Sequence, residues 1–145
     1  MSKRRINIFG TTGSIGQSTL SVFRESKESY DFIAFSAHEN VDQLIDDCLE
    51  FKPQYANIGN EKHFFKLKNS LSDTKVIPSY GKQSLLDLAC TNVDWSMSAI
   101  IGFAGVEVSL LCAENSKVLA LANKETLVCA GNLLLSLCKD NNTKL

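Results

Sequence analysis

The sequence predicts an α/β domain with a doubly wound, mainly parallel sheet. Three observations predict it. Short β-branched or apolar runs alternate with longer amphipathic stretches along the whole chain. The stretches between runs are of helix length, and strands joined through helices lie parallel, whereas hairpins need short turns. The run Val118–Ala122 is continuously apolar and Ile6–Phe9 is interrupted only by Asn7, as expected of strands covered on both faces.

Taken in order, Ile6–Phe9 reads as a strand that ends at Gly10. A helix follows from Ser14 to about Glu28, with Ile15, Leu20, Val22 and Phe23 as its buried side. Phe32–Ser36 is the second strand. Val41–Phe51 is a helix on which Leu44, Ile45, Cys48 and Leu49 recur at helical spacing. Pro53 stops it, since proline cannot continue the hydrogen-bond ladder. Tyr55–Ile58 is the third strand, Glu61–Leu71 a helix, Val76–Ile77 a short strand before Pro78, and Lys82–Cys90 a helix. Trp95–Ile101 is the fifth strand, Val106–Ala113 a helix, and Val118–Ala122 the sixth strand. A last helix runs from about Lys124 to Cys138.

Composition narrows the function classes. The 145 residues fit one domain with a real core. With 15 Lys and Arg against 16 Asp and Glu, the net charge is −1, which leaves no cation excess to displace phosphate counterions from nucleic acid. No run reaches the ~18 apolar residues of a membrane span, and the charged start lacks a signal-peptide core, so the expected location is the cytoplasm. Cys48, Cys90, Cys112, Cys129 and Cys138 are odd in number, without a C-x-x-C pair, and read as reduced filler among apolar neighbours. His38 and His63 are the only histidines, so no metal site is expected in this chain. After the polar stretch Lys139–Lys144 the sequence stops where another strand would start. A parallel sheet binds ligands at the carboxyl ends of its strands, in a crevice that needs a second wall. The expectation is that residues 1–145 form the first, dinucleotide-binding domain of a longer protein.

The strongest local signal is Gly10-Thr11-Thr12-Gly13-Ser14-Ile15-Gly16, which follows a strand and opens a helix. Glycines there let the backbone approach a pyrophosphate, and free N–H groups at the helix start hold the anion. Thr12 and Ser14 add hydroxyl donors. The spacing is G-x-x-G-x-x-G, which supports phosphate binding without naming the cofactor, and no Lys-Ser/Thr pair makes it a Walker loop. At the end of the second strand stands Ala37-His38-Glu39-Asn40. An acid here suits the ribose 2′-hydroxyl of NAD, and a cation the 2′-phosphate of NADP. Glu39 by itself therefore favours NAD, or is a solvated loop acid. His38 reads as a loop residue and Asn40 as a helix cap. After the sixth strand comes Ala122-Asn123-Lys124-Glu125-Thr126. Asn123 is a natural N-cap and Glu125 suits a first turn. Lys124 is a cation at the positive end of a helix, unfavourable by roughly 0.3–1 kcal/mol. It stands at the ligand edge of the sheet, where it can hold a phosphate or polarise a carbonyl, or else face solvent.

Three segments together resemble one family: the glycine loop, Ser98-Ala99-Ile100-Ile101-Gly102-Phe103-Ala104-Gly105, and Leu121-Ala122-Asn123-Lys124-Glu125-Thr126-Leu127-Val128. With Cys48-Leu49-Glu50-Phe51-Lys52-Pro53, they are similar to the N-terminal domain of the 1-deoxy-D-xylulose 5-phosphate reductoisomerases, a fold of the NAD(P)-binding Rossmann type. The resemblance implies the conversion of 1-deoxy-D-xylulose 5-phosphate to 2-C-methyl-D-erythritol 4-phosphate, with NADPH and a divalent metal (Mg, Mn or Co). It implies that Thr12, Gly13, Ser14 and Ile15 bind the NADPH phosphates, with Asn40 on the adenosine side. Asn123 and Glu125 would contact the cofactor, and Lys124 the sugar-phosphate substrate. The metal-binding Asp-x-Glu motif would follow Leu145, so this chain would not turn over alone. A homodimer is implied for the full-length enzyme and a monomer for this chain.

One departure bears on the cofactor. The family commonly carries a small residue and then a basic one where this chain has His38-Glu39, and an acid facing a 2′-phosphate is repulsive. His38 as a cation, or a basic residue from another loop, would have to compensate. The competing readings are the cofactor domain of another NAD(P)-dependent reductase, and a non-catalytic NAD(P)-sensing module. Cys129, inside an apolar helix, is a poor nucleophile for the first, and a sensor has no use for Lys124.

Overall fold

The computed structural model describes residues 2–145. Six parallel strands stand in the order β4-β3-β2-β1-β5-β6. They are β1 (Arg4–Phe9), β2 (Tyr30–Ala37), β3 (Tyr55–Ile58), β4 (Ile77–Tyr80), β5 (Val93–Ser98) and β6 (Ser116–Leu121). The helices are α1 (Ser14–Arg24), α2 (Val41–Phe51), α3 (Phe64–Ser70), α4 (Gly81–Ala89), α5 (Ala104–Asn115) and α6 (Lys124–Asp140). The chain winds outward from β1 to β4, then returns across the sheet to β5 and winds the other way. That reversal between β1 and β5 makes a crevice at the strand ends.

Two cores fill the two faces. On one, Ile6, Ile8, Phe32 and Phe35 of the sheet meet Leu20, Leu44, Cys48, Phe51 and Leu67 of α1, α2 and α3. On the other, Phe9, Ala34 and Leu119 meet Leu88, Val108, Cys112, Leu134 and Cys138 of α4, α5 and α6. Alternate residues supply opposite faces, as pleating requires, except that a register shift in β2 at Ile33 puts Phe32 and Phe35 on the same face.

Several expected features are corrected. The first helix ends at Arg24, and Lys27–Ser29 forms a separate 3₁₀ turn. Ile15 and Val22 on α1 and Leu49 on α2 are exposed. Gly16 and Leu20 are the buried residues of α1. The short fourth strand runs through Pro78 rather than stopping before it. It is an edge strand, where a missing N–H is tolerated. The fifth strand ends at Ser98, and Ala99–Ile101 leave the sheet to wall the crevice. The apolar part of β6, residues 118–121, lies at the sheet edge and is only partly covered. Lys144 forms one parallel bridge on its open side, with Leu119 N–H donating to the Lys144 carbonyl at 2.9 Å. The cysteines are all free, with Cys48, Cys112 and Cys138 buried but Cys90 and Cys129 exposed. No helix is long and apolar enough to cross a membrane among the described residues.

Candidate functional site

The turn after β1 is shaped by two glycines. Gly10 has φ +88°, a region that side chains avoid, and a Cβ there would press on the Ala99 carbonyl after β5. Gly16 packs so closely on the Gly10 and Thr11 carbonyls that a Cβ would collide with both. Ser36 fastens the turn, since the Gly10 N–H donates to its Oγ at 3.0 Å and the Thr11 N–H to its carbonyl at 2.9 Å. From behind, the Gln17 amide donates to the Thr11 carbonyl at 2.9 Å and to both oxygens of Asp47, at 3.2 and 3.0 Å. Gln43 also donates to Asp47, at 3.0 Å. Burial pushes the Asp47 carboxyl up from its ordinary value, opposed by these amides.

Helix α1 starts at this turn with no side-chain cap and no acid in its first turn. Its leading N–H groups have no partner further back in the helix, and the dipole adds positive potential there. Thr12 is half-buried, and Gly13, Ser14 and Ile15 are exposed at the surface of the turn. A cleft of about 370 Å³ opens beside them, lined by Gly10, Thr12, Gly13, His38, Gly59 and Ile100 among others. These features fit a dinucleotide diphosphate: a backbone with room to approach, and donors without an acceptor.

At the end of β2, Asn40 caps α2, its Oδ1 accepting from the Gln43 N–H at 3.2 Å. Glu39 is turned toward the loop after β3. Asn60 Nδ2 donates to it at 2.8 Å, and His63 Nε2 lies 3.0 Å away. These hydrogen bonds, Asn60 first, hold its carboxyl below the ordinary range. His38 is exposed, its Nε2 3.6 Å from Glu39, and it lines the cleft.

The third segment joins the site through Asn123. Its Oδ1 accepts from the Thr126 N–H at 3.2 Å and caps α6. Its Nδ2 donates to the Ile100 carbonyl at 2.7 Å and the Gly102 carbonyl at 3.1 Å. Lys124 is exposed beside it, with no carboxylate within 4.0 Å among the described residues. Glu125 lies in the first turn of α6, half-buried. No group of three or more His, Cys, Asp or Glu side chains able to hold a metal occurs among the described residues. Ser36, and Asp47 that reaches the loop only through Gln17, escape a reading of the sequence alone, because their partners are distant in the chain. Ser36 is 26 residues from Gly10 and Asp47 is 30 from Gln17.

A glycine loop feeding a helix, set at the switch point of a doubly wound parallel sheet, defines the Rossmann-type class of α/β domains. The family model described as 1-deoxy-D-xylulose 5-phosphate reductoisomerase matches residues 6–131. The chain belongs to that family. Its relatives include the 1-deoxy-D-xylulose 5-phosphate reductoisomerase of Caulobacter vibrioides, 42% identical over 95% of this chain and 35% of that protein. Another is the enzyme of Ruegeria sp., 39% identical over 100% of this chain and 37% of that protein. The solved reductoisomerase from Zymomonas mobilis in complex with NADPH superposes with a TM-score of 0.95 at 35% identity, over 99% of this chain and 38% of that one. A reductoisomerase complex with NADPH, fosmidomycin and magnesium gives 0.89 at 32% identity, over 97% and 35%. The chain thus spans little more than a third of the proteins it matches.

Proposed function

We propose that this chain is the NADPH-binding domain of an enzyme that isomerises and reduces 1-deoxy-D-xylulose 5-phosphate to 2-C-methyl-D-erythritol 4-phosphate in non-mevalonate isoprenoid biosynthesis. One observation carries the reading: the uncapped start of α1 opens on the crevice between β1 and β5, in a chain of the reductoisomerase family. Bound NADPH would supply the hydride of the reduction. Thr12, Gly13, Ser14 and Ile15 hold its diphosphate through backbone N–H groups and hydroxyls. His38, Glu39 and Asn40 meet its adenosine end. Asn123 and Glu125 bind the cofactor from α6, and Lys124 contacts the phosphorylated substrate.

In this reading residues 1–145 are the first domain of a longer, homodimeric, cytoplasmic enzyme, and the divalent metal is held by residues outside them. The relatives' greater length supports it. So does an apolar surface on the loop before α5 and the start of α6, where Ile101, Phe103, Leu127 and Val128 are all exposed.

A single substitution tests the cofactor site. Ser14→Glu puts a carboxylate at the start of α1, which stabilises a helix by roughly 0.3–1 kcal/mol but repels a diphosphate. Titrated by nicotinamide fluorescence, the parent chain is expected to bind NADPH saturably, and Ser14→Glu to bind at least about tenfold more weakly with an equal or higher melting temperature. Equal NADPH binding by both proteins would move the diphosphate elsewhere.

A further inference from the structure

We propose that Asp47 and Gln17 are positioning residues for the cofactor loop: together they turn the Thr12 N–H into the cleft, where it donates to the diphosphate. The inference rests on the dinucleotide reading above and adds to it two side chains that touch no ligand.

Asp47 of α2 is 2% exposed and forms no ion pair among the described residues. The Arg24 guanidinium of α1, which feels its charge, is bound to Glu50 at 2.7 Å instead. A buried carboxylate held only by amides costs stability rather than adding it, and such groups gather at functional sites.

An ionised carboxylate only accepts, so Gln17 and Gln43 must each turn the amide nitrogen toward it. Gln17 Nε2 carries two hydrogens. One serves the Asp47 oxygens, at 3.2 and 3.0 Å, and leaves the other for the Thr11 carbonyl at 2.9 Å. The Thr11 N–H is held as well, by the Ser36 carbonyl at 2.9 Å. The peptide joining Thr11 to Thr12 therefore has little freedom to rotate. It is trans, and in a trans peptide the N–H points opposite to the carbonyl. With its carbonyl drawn toward Gln17, this peptide sends the Thr12 N–H the other way. Thr12 lines the cleft, and its N–H has no backbone acceptor among the described residues.

NADPH titrations of the full chain at pH 8 test this. That pH is far above the ordinary carboxylate value of about 4, so Asp47 is ionised although burial pushes it up. Asp47→Asn puts a donor where an acceptor is needed, and Gln17→Met keeps the length but removes the amide. Each is expected to bind NADPH at least about fivefold more weakly than the parent. The double variant should match the weaker single one within about twofold, because both act through one hydrogen bond. Loss of a negative charge alone would strengthen the binding of an anion, so a weaker Asp47→Asn marks positioning. Amide NMR spectra of the unliganded single variants should show the Thr12 N–H moved. Thermal melts establish folding, and half-buried Gln17 tests the link even where Asp47→Asn is unstable. Equal or tighter binding by a folded variant, an unmoved Thr12 amide, or losses that multiply in the double variant overturn the proposal and leave the dinucleotide site standing. A parent that binds no NADPH overturns both.

Discussion

Asn123 uses one amide for two jobs. Its oxygen caps α6, and its nitrogen ties that helix to the Ile100 and Gly102 carbonyls on the loop after β5. The side chain is buried, so its removal leaves carbonyls and a helix N–H without partners. Asn123→Ala is expected to cost about 2 kcal/mol in urea unfolding, at the upper end for a lost cap. It should also weaken NADPH binding, because the loop it holds forms one wall of the cleft. Lys124 makes the contrast. It is exposed and makes no ion pair or side-chain hydrogen bond among the described residues, so Lys124→Gln should leave stability within about 0.5 kcal/mol and NADPH affinity within about threefold. A large loss of NADPH affinity in Lys124→Gln would place that lysine on the cofactor rather than the substrate.

At the scale of elements, the glycine loop is supported from beneath by α1 and α2 together. Gln17 of α1 reaches both the loop and Asp47, and Gln43 joins from the first turn of α2. The Asp47 carboxyl is pushed up by burial, so the folded chain holds this proton more tightly than the unfolded one. Its contribution to stability is full below the ordinary carboxylate value of about 4 and is lost as pH rises through the raised folded value. Asp47→Asn removes that titration and keeps one acceptor oxygen. Urea unfolding of both proteins between about pH 4 and pH 7 should therefore show the variant gaining on the parent as pH rises, since the titrations common to both cancel in the difference. Parallel curves would show that Asp47 does not titrate in this range. Asp47→Ala leaves the Gln43 amide without this acceptor and Gln17 with the Thr11 carbonyl alone, and should cost about 1–3 kcal/mol.

The elements themselves were largely legible, since alternation of apolar runs with helical spacing is a local signal. Tyr55–Ile58 and Val41–Phe51 match the structure at both ends. Errors fell where a neighbour decides the outcome. Pro78 stays in a strand because that strand is an edge, and Ile15, Val22 and Leu49 are exposed although their spacing suits a core. The glycine loop and the Asn123 cap were readable because their chemistry lies within a few residues. The supports Ser36 and Asp47, and the partners of Glu39, come from other strands and helices and leave no mark in sequence spacing.

For the whole molecule, the two cores leave several apolar side chains exposed on the loop before α5 and at the start of α6. Phe103 and Val128 are 75% and 82% exposed, too open to contribute to folding of these residues. Phe103→Ser and Val128→Ser should each change unfolding stability by less than about 0.5 kcal/mol. A larger loss would make these side chains part of the core rather than free surface. The crevice at the β1–β5 reversal is the feature on which the functional account depends. The most direct test is to follow the backbone amides of the chain by NMR while NADPH is added. The largest shifts are expected on Thr12, Gly13, Ser14 and Ile15, with smaller ones at His38–Asn40 and Asn123. Saturating NADPH that leaves the Gly10–Gly16 amides unmoved would contradict a dinucleotide site there.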